Sequence, residues 1–270
     1  MSLLSKVRHH FWPQGGQQAN WRPEVLPNER IYAVGDIHGR ADLLVRLHEL
    51  IENDAQIHGQ GKNNRIIYLG DYIDRGLDSR TVIDILISQP LQGFQHVFLK
   101  GNHEDLLLRC FEDPEIWPVW VGLGGAATAL SYGAGVRPSE SDDDQGHERI
   151  RQDFLKQIPP GHRQFLEDLQ LSCRSGDYLF VHAGVRPNVP LDQQDPQDLM
   201  WIRNEFLRHK ASLGVVVVHG HSISLRPEVL PQRIGIDTGA YATNALSCVV
   251  LDGPHRSFLS TGSVEFSAEG

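Results

Sequence analysis

At 270 residues, with a formal net charge of -9 and a pI near 5.8, the chain is long enough to bury one large core and too acidic for a broad nucleic-acid-binding face. Its three cysteines, Cys110, Cys173 and Cys248, lack C-x-x-C spacing, which argues against a disulfide framework or a thiolate zinc site and fits a reducing cytoplasm. No run approaches ~18 apolar residues, and residues 1–12 contain no apolar export core, so no membrane association is expected.

Residues 1–27 read as a flexible lead-in, rich in Gln and Gly over 14–20, to one domain spanning 28–262. The apolar run at 31–34 predicts a buried strand that ends on Gly35-Asp36-Ile37-His38-Gly39, and Leu44, Leu47, His48 and Ile51 then recur at helical spacing. A second strand is predicted at 65–69, ending on Gly70-Asp71-Tyr72-Ile73-Asp74-Arg75-Gly76, with a helix over 81–87. A third, at 96–99, meets Gly101-Asn102-His103-Glu104 and continues as a helix over 104–111. Pro114, Pro118, Gly122, Gly124 and Gly125 interrupt regular structure. A mostly helical cap is expected over about 112–172, with a solvated acidic loop at 139–147. Strand character returns at 178–182, 215–219, 234–237 and 247–251. The order βαβαβα, cap, strand-rich end predicts an α/β fold: two sheets packed face to face with helices outside, the second partly antiparallel.

Each motif puts hard or borderline metal ligands at a strand C-terminus, where an open α/β sheet leaves a crevice. Asp36 and His38 sit two apart in a Gly-flanked turn and can address one ion, although D-x-H alone is more simply a surface Asp near a structural His. Asp71 brings two oxygens that can serve different ions. Asn102 adds a neutral oxygen, and His182 and His221 add imidazoles. The candidate division is Asp36, His38 and Asp71 on one ion, with Asp71, Asn102, His182 and His221 on the other. His219 competes with His221, because Val218-His219-Gly220-His221 offers two imidazoles that strand alternation would send to one face; a buried, hydrogen-bonded structural role is expected for His219, or else one that lines or supports the pocket. Oxygen and nitrogen ligands without thiolate suit manganese, iron or zinc.

Two such ions would lower the pKa of a shared water and neutralise charge on a phosphoryl group in flight. Neither a P-loop nor a G-x-S-x-G elbow is present. His103, directly after Asn102, is then the candidate proton donor to the leaving oxygen, and Asp74 the carboxylate that holds it. Their ordinary explanation is a buried His–Asp pair. Arg75 and Arg203 are candidate phosphate ligands, their planar guanidinium groups matching phosphate oxygens, and Asn102 is expected to reach the phosphate as well as the metal.

These segments resemble the calcineurin-like metallophosphoesterases, and within them the bacterial phosphoprotein phosphatases related to eukaryotic Ser/Thr phosphatases. The pattern GDxHG, GDxxDRG, GNHE, HAG and GH is met from Gly35 to His221. The resemblance implies a four-layer α/β/β/α sandwich of two mixed sheets, the ligand division above, and manganese-supported activity. W-I-R at Trp201-Ile202-Arg203, I-D-T-G-A at residues 236–240 and a G-G-x-x-T-x-x-S-Y cap segment at 124–132 extend it, and the first of these implies a phosphate-binding role for Arg203. Leu123 stands where Asn is expected, and Asn244-Ala245 where glycines are. The activity implied is phosphoprotein phosphatase, on phosphoserine, phosphothreonine and also phosphotyrosine. The alternative is a dinucleoside polyphosphate hydrolase, disfavoured at this stage because intact His38-Gly39 and Asp74-Arg75-Gly76 point away from the symmetric branch.

Overall fold

A computed structural model of the chain describes residues 21–135 and 144–262. In β1 (Glu29–Val34), Ile31 and Ala33 join one core while Tyr32 and Val34 join another. A strand buried on both faces belongs to an inner layer. β1 pairs in parallel with β2 (Asn63–Tyr68), and β2 with β3 (Gln95–Phe98); α1 (Ala41–His58) and α2 (Ser79–Ser88) are the crossovers. α3 (Asn102–Glu112), α4 (Ile116–Trp120), a kinked turn (Val121–Gly125), α5 (Ala126–Ser131), α6 (Asp144–Gln157) and α7 (Pro160–Glu167) follow. The acidic loop expected at 139–147 falls partly outside the described residues. Its described part, from Asp144, opens α6.

β4 (Ser172–Ser175) and β5 (Tyr178–Val181) begin the second sheet. After α8 (Pro196–Trp201) and α9 (Asn204–Leu207) come β6 (Val216–His219), β7 (Glu228–Leu230) and β8 (Arg233–Gly235), giving the order β4-β5-β6-β8-β7. α10 (Ala240–Thr243) leads to β9 (Ser247–Asp252) and β10 (His255–Ser260). These cross back to the first sheet, in the order β10-β9-β1-β2-β3, so both sheets are mixed, as the family resemblance implies.

Ile31, Ala33, Ile67 and Leu69 of the first sheet meet Tyr178, Phe180, Val216 and Val218 of the second. Their alternates, Leu179, Val181 and Val217, turn outward onto Leu199, Ile202 and Phe206. Period-two burial on both sheets thus produces the α/β/β/α sandwich. Val25 is buried in the inter-sheet core and the Glu24 amide donates to Asp177 Oδ2 at 3.0 Å. Packing therefore begins upstream of the boundary expected at residue 28; residues 1–20 of the expected lead-in lie outside the described residues. No helix among the described residues is long and apolar enough to cross a membrane.

Candidate dinuclear metal centre

The turns after β1, β2 and β6 are strained in the same way. Among the described residues, five of the eight non-glycine positions with positive φ lie there: His38 (47°), Asp71 (51°), Asp74 (72°), Arg75 (67°) and His221 (61°). Such backbone costs about 1–3 kcal/mol per residue and persists where neighbours over-determine it. Here each amide is claimed: His38 N donates to Asp71 O (2.9 Å), Asp71 N to Glu104 Oε2 (2.9 Å), and His221 N to Asp36 Oδ2 (3.0 Å). Asp74 N donates to Thr128 Oγ1 (2.8 Å) and Arg75 N to Gly124 O (3.1 Å).

Asp71, buried at the centre, points its two oxygens at different histidines. Oδ2 lies 3.5 Å from His38 Nε2 and 3.8 Å from His103 Nε2, whereas Oδ1 lies 3.4 Å from His182 Nε2. Asn102 Oδ1 is 3.0 Å from His182 Nε2 and 2.9 Å from His221 Nδ1. The result is two ligand groups, His38–Asp71–His103 and Asp71–His182–His221, that share Asp71. Asp36 belongs to neither group. Its carboxylate accepts the His221 amide and lies so close to Gly220 that a Cβ there would overlap it.

Lone pairs test whether cations fit. His38 Nδ1 donates to Ile73 O (2.8 Å) and His182 Nδ1 to Leu69 O (2.9 Å), since a carbonyl only accepts. Burial keeps both rings neutral, lowering His182 and taking His38 down to about 3. The Nε2 lone pair of His182 therefore faces the Asn102 carbonyl oxygen, whereas that of His38 accepts from the Arg75 guanidinium. Acceptor opposite acceptor is unfavourable unless a cation lies between them. His221 Nε2 is buried with no partner, and burial holds that ring down to about 2. Asp237, also buried, is pushed up to about 6 by burial, and Asp36 is raised well above the ordinary carboxylate range by burial and then by Asp237 and Asp71. This donor set fits a pair of divalent cations.

Beside it, His103 Nδ1 donates to Asp74 Oδ2 at 2.6 Å, both residues being buried. Burial opposes a charged His103, but Asp71 and Asp74 outweigh it and the pKa is raised. Arg75 donates from Nη1 to His38 Nε2 (2.9 Å) and its Nη2 lies 3.2 Å from His103 Nε2, so its guanidinium is within the centre. It also lies over the Tyr241 ring, 5.0 Å from the centroid, and that ring meets His38 edge-on at 5.5 Å. Arg203 is exposed at the start of α9; after burial, its charge is among the influences that disfavour protonation of His182 and His221.

His219 does not share the site with His221. Its Nε2 faces Arg233 Nη1 (3.3 Å) and its ring packs on Phe206, because β6 ends at His219 and the positive φ of His221 breaks the alternation. Sequence reasoning also passed over Glu104, Asp237, Trp120, Thr128 and Tyr241. Glu104 accepts amides from Asp71, Tyr72 and Gly101, and its place at the third position of α3 is a capping-box signal. Thr128 reaches Asp74 from within the cap segment at 124–132, whose motif gave no hint of that contact, and Trp120 from just before it.

A sandwich of this architecture, whose strand ends gather ligands for two ions around one shared carboxylate, defines a metal-dependent phosphoesterase. The chain belongs to the calcineurin-like phosphoesterases, whose family model matches residues 29–243. It is 28% identical over 225 residues to a bis(5'-nucleosyl)-tetraphosphatase PrpE [asymmetrical] of Anoxybacillus flavithermus (strain DSM 21510 / WK1), covering 76% of this chain and 84% of that relative. Identity reaches 41% over 181 residues with a PP2A-like serine/threonine-protein phosphatase of Candida albicans (strain SC5314 / ATCC MYA-2876), over 56% of this chain and 41% of that one. Among solved structures, one provisionally assigned as a diadenosine tetraphosphatase superposes with a TM-score of 0.58 at 20% identity, covering 89% of this chain and 99% of the other.

Proposed function

We propose that this chain hydrolyses dinucleoside polyphosphates with a pair of divalent ions, manganese being the first candidate. The observation that carries this reading is the near-full-length similarity to relatives named as asymmetrical bis(5'-nucleosyl)-tetraphosphatases, 84% and 92% of whose lengths are covered. Tyr241, 37% exposed beside His38, adds an aromatic surface suited to a nucleobase. The phosphoprotein activity implied by motif resemblance becomes the second reading, favoured by the higher identity to the Candida phosphatase over a shorter span.

In this proposal His38, Asp71 and Asp36 hold one ion, and Asp71, Asn102, His182 and His221 the other. When bound, the ions supply a water of lowered pKa and neutralise phosphoryl charge. Arg75 and Arg203 grip phosphate oxygens from two sides of Asp71, and Asn102 adds a polar contact to the same phosphate. His103 Nε2 gives its proton to the leaving oxygen while Asp74 fixes the Nδ1–H. The test is manganese-dependent turnover of diadenosine tetraphosphate beside phosphoserine, phosphothreonine and phosphotyrosine peptides, with Asp71→Asn as blank. Preferential release of ATP and AMP supports the proposal; preferential, Asp71-dependent release of phosphate from peptides replaces it with the second reading.

A further inference from the structure

Asp74 and Arg75 are consecutive left-handed residues, and the groups that hold them come from outside the sheet. The Arg75 amide donates to Gly124 O and the Asp74 amide to Thr128 Oγ1, with Ser79 Oγ a second acceptor at 3.1 Å. Thr128 Oγ1 returns its own proton to Asp74 Oδ1 (2.6 Å), so this hydroxyl closes a ring on a single residue. Trp120 Nε1 donates to Asp74 Oδ2 (2.9 Å), the same oxygen that accepts from His103. Asp74 is fully buried, and these three donors leave neither of its carboxylate oxygens without a partner.

Trp120, Gly124 and Thr128 all lie between the end of α4 and the middle of α5. Trp120 is itself fully buried against Trp117 and Phe154, with ring centroids at 5.3 and 5.2 Å, so its indole has one direction in which to donate. Gly124, with φ 118°, breaks the helix into a kink between α4 and α5, and a Cβ there would stand 2.8 Å from Arg75 Cγ. The kink brings a carbonyl to Arg75 and sets Trp120 and Thr128 on either side of Asp74.

We infer that Trp120, Gly124 and Thr128 form a latch through which the helices between β3 and β4 position Asp74 and Arg75, and through Asp74 the His103 imidazole. All three are positioning residues, acting on groups that touch substrate rather than on substrate. The inference rests on the roles given above to His103 and Asp74, and is independent of which phosphate compound is the natural substrate. Without Trp120 Nε1–H or the Thr128 hydroxyl, Asp74 keeps its place in the chain but loses a donor that fixes its carboxylate plane. His103 is then aimed less well at the leaving oxygen.

Thr128→Val removes one donor with little change in volume, and Trp120→Phe removes the other together with part of a buried ring. Turnover of phenyl phosphate and p-nitrophenyl phosphate separates positioning from bulk damage, because the poorer leaving group depends more on the proton. The latch predicts that each variant loses about tenfold more kcat on phenyl phosphate than on p-nitrophenyl phosphate, with KM and metal content unchanged, and that Thr128→Ser recovers the loss. Equal losses on both substrates, or no recovery with Ser, overturn it. His103→Ala in the same assay isolates the underlying role: if that variant shows no leaving-group dependence, the proton-donor assignment fails. The latch then stands or falls on amide hydrogen exchange at Asp74, which it predicts to be faster in Thr128→Val than in the wild type; unchanged exchange rejects it.

Discussion

His103 illustrates how much a single side chain's chemistry depends on what fixes its other nitrogen. With Nδ1 committed to Asp74 at 2.6 Å, only Nε2 faces the shared carboxylate of Asp71. His103→Ala is therefore expected to lower turnover by about 10²–10⁴ while metal content, measured by elemental analysis, stays near wild type; parallel loss of both would make His103 a ligand instead. Tyr241 is held for a different task. Arg40 Nη1 donates to Ala240 O (3.0 Å) and Asn244 Oδ1 (2.7 Å), pinning the short helix that carries the ring. Base–aromatic stacking is worth about 1–3 kcal/mol, so Tyr241→Ala should raise the KM for diadenosine tetraphosphate about tenfold more than that for a phosphoserine peptide, and Tyr241→Phe should not. Equal effects on both substrates would remove Tyr241 from the nucleobase side. At this scale the ligand types were legible in the sequence because they follow apolar runs. The parting of His219 and His221 to different sides was not, since it turns on one left-handed residue that alternation cannot foresee.

Among elements, α3 does more than lead into the cap. Glu104 in its first turn accepts amides from Gly101, Asp71 and Tyr72, at 3.0, 2.9 and 2.8 Å, tying the β2 turn to the helix. Glu104→Ala would leave these buried donors unpaired at about 1–3 kcal/mol each. Urea unfolding should show a loss on the order of 4 kcal/mol, whereas a loss under about 1 kcal/mol would mean that water replaces the carboxylate. The long central strands and crossover helices were readable from period and punctuation. β4, β7 and β10 were not: Ser172–Ser175 is mostly polar, Glu228–Leu230 spans three residues, and His255–Ser260 alternates exposed with half-buried positions. All three are sheet edges, where one-sided pairing weakens the apolar signal. The return of β9 to the first sheet was likewise hidden, because an inner strand of either sheet would read the same.

Across the whole molecule, buried neutral histidines couple stability to pH. His48, against the Tyr68 hydroxyl at 2.9 Å, and His219 are each held down to about 4 by burial. The unfolded chain takes up these protons below about pH 6.5 and the folded chain does not until about pH 4, so acid favours unfolding across that window. Between pH 6.5 and 5 the metal-free protein should lose on the order of 2 kcal/mol per group, with His48→Gln flattening the slope; stability that is level or rising toward pH 5 would contradict the burial of neutral rings. The same logic of buried groups awaiting a counter-charge governs the centre, where both ligand groups depend on Asp71. The most direct measurement is metal content per chain, by elemental analysis after manganese loading and desalting, for wild type and Asp71→Asn alongside phosphoester turnover. Two ions per wild-type chain, with loss of both ions and of turnover in Asp71→Asn, is the predicted result; an Asp71→Asn protein that retains two ions and turns over, or a wild type that works with none, would contradict it.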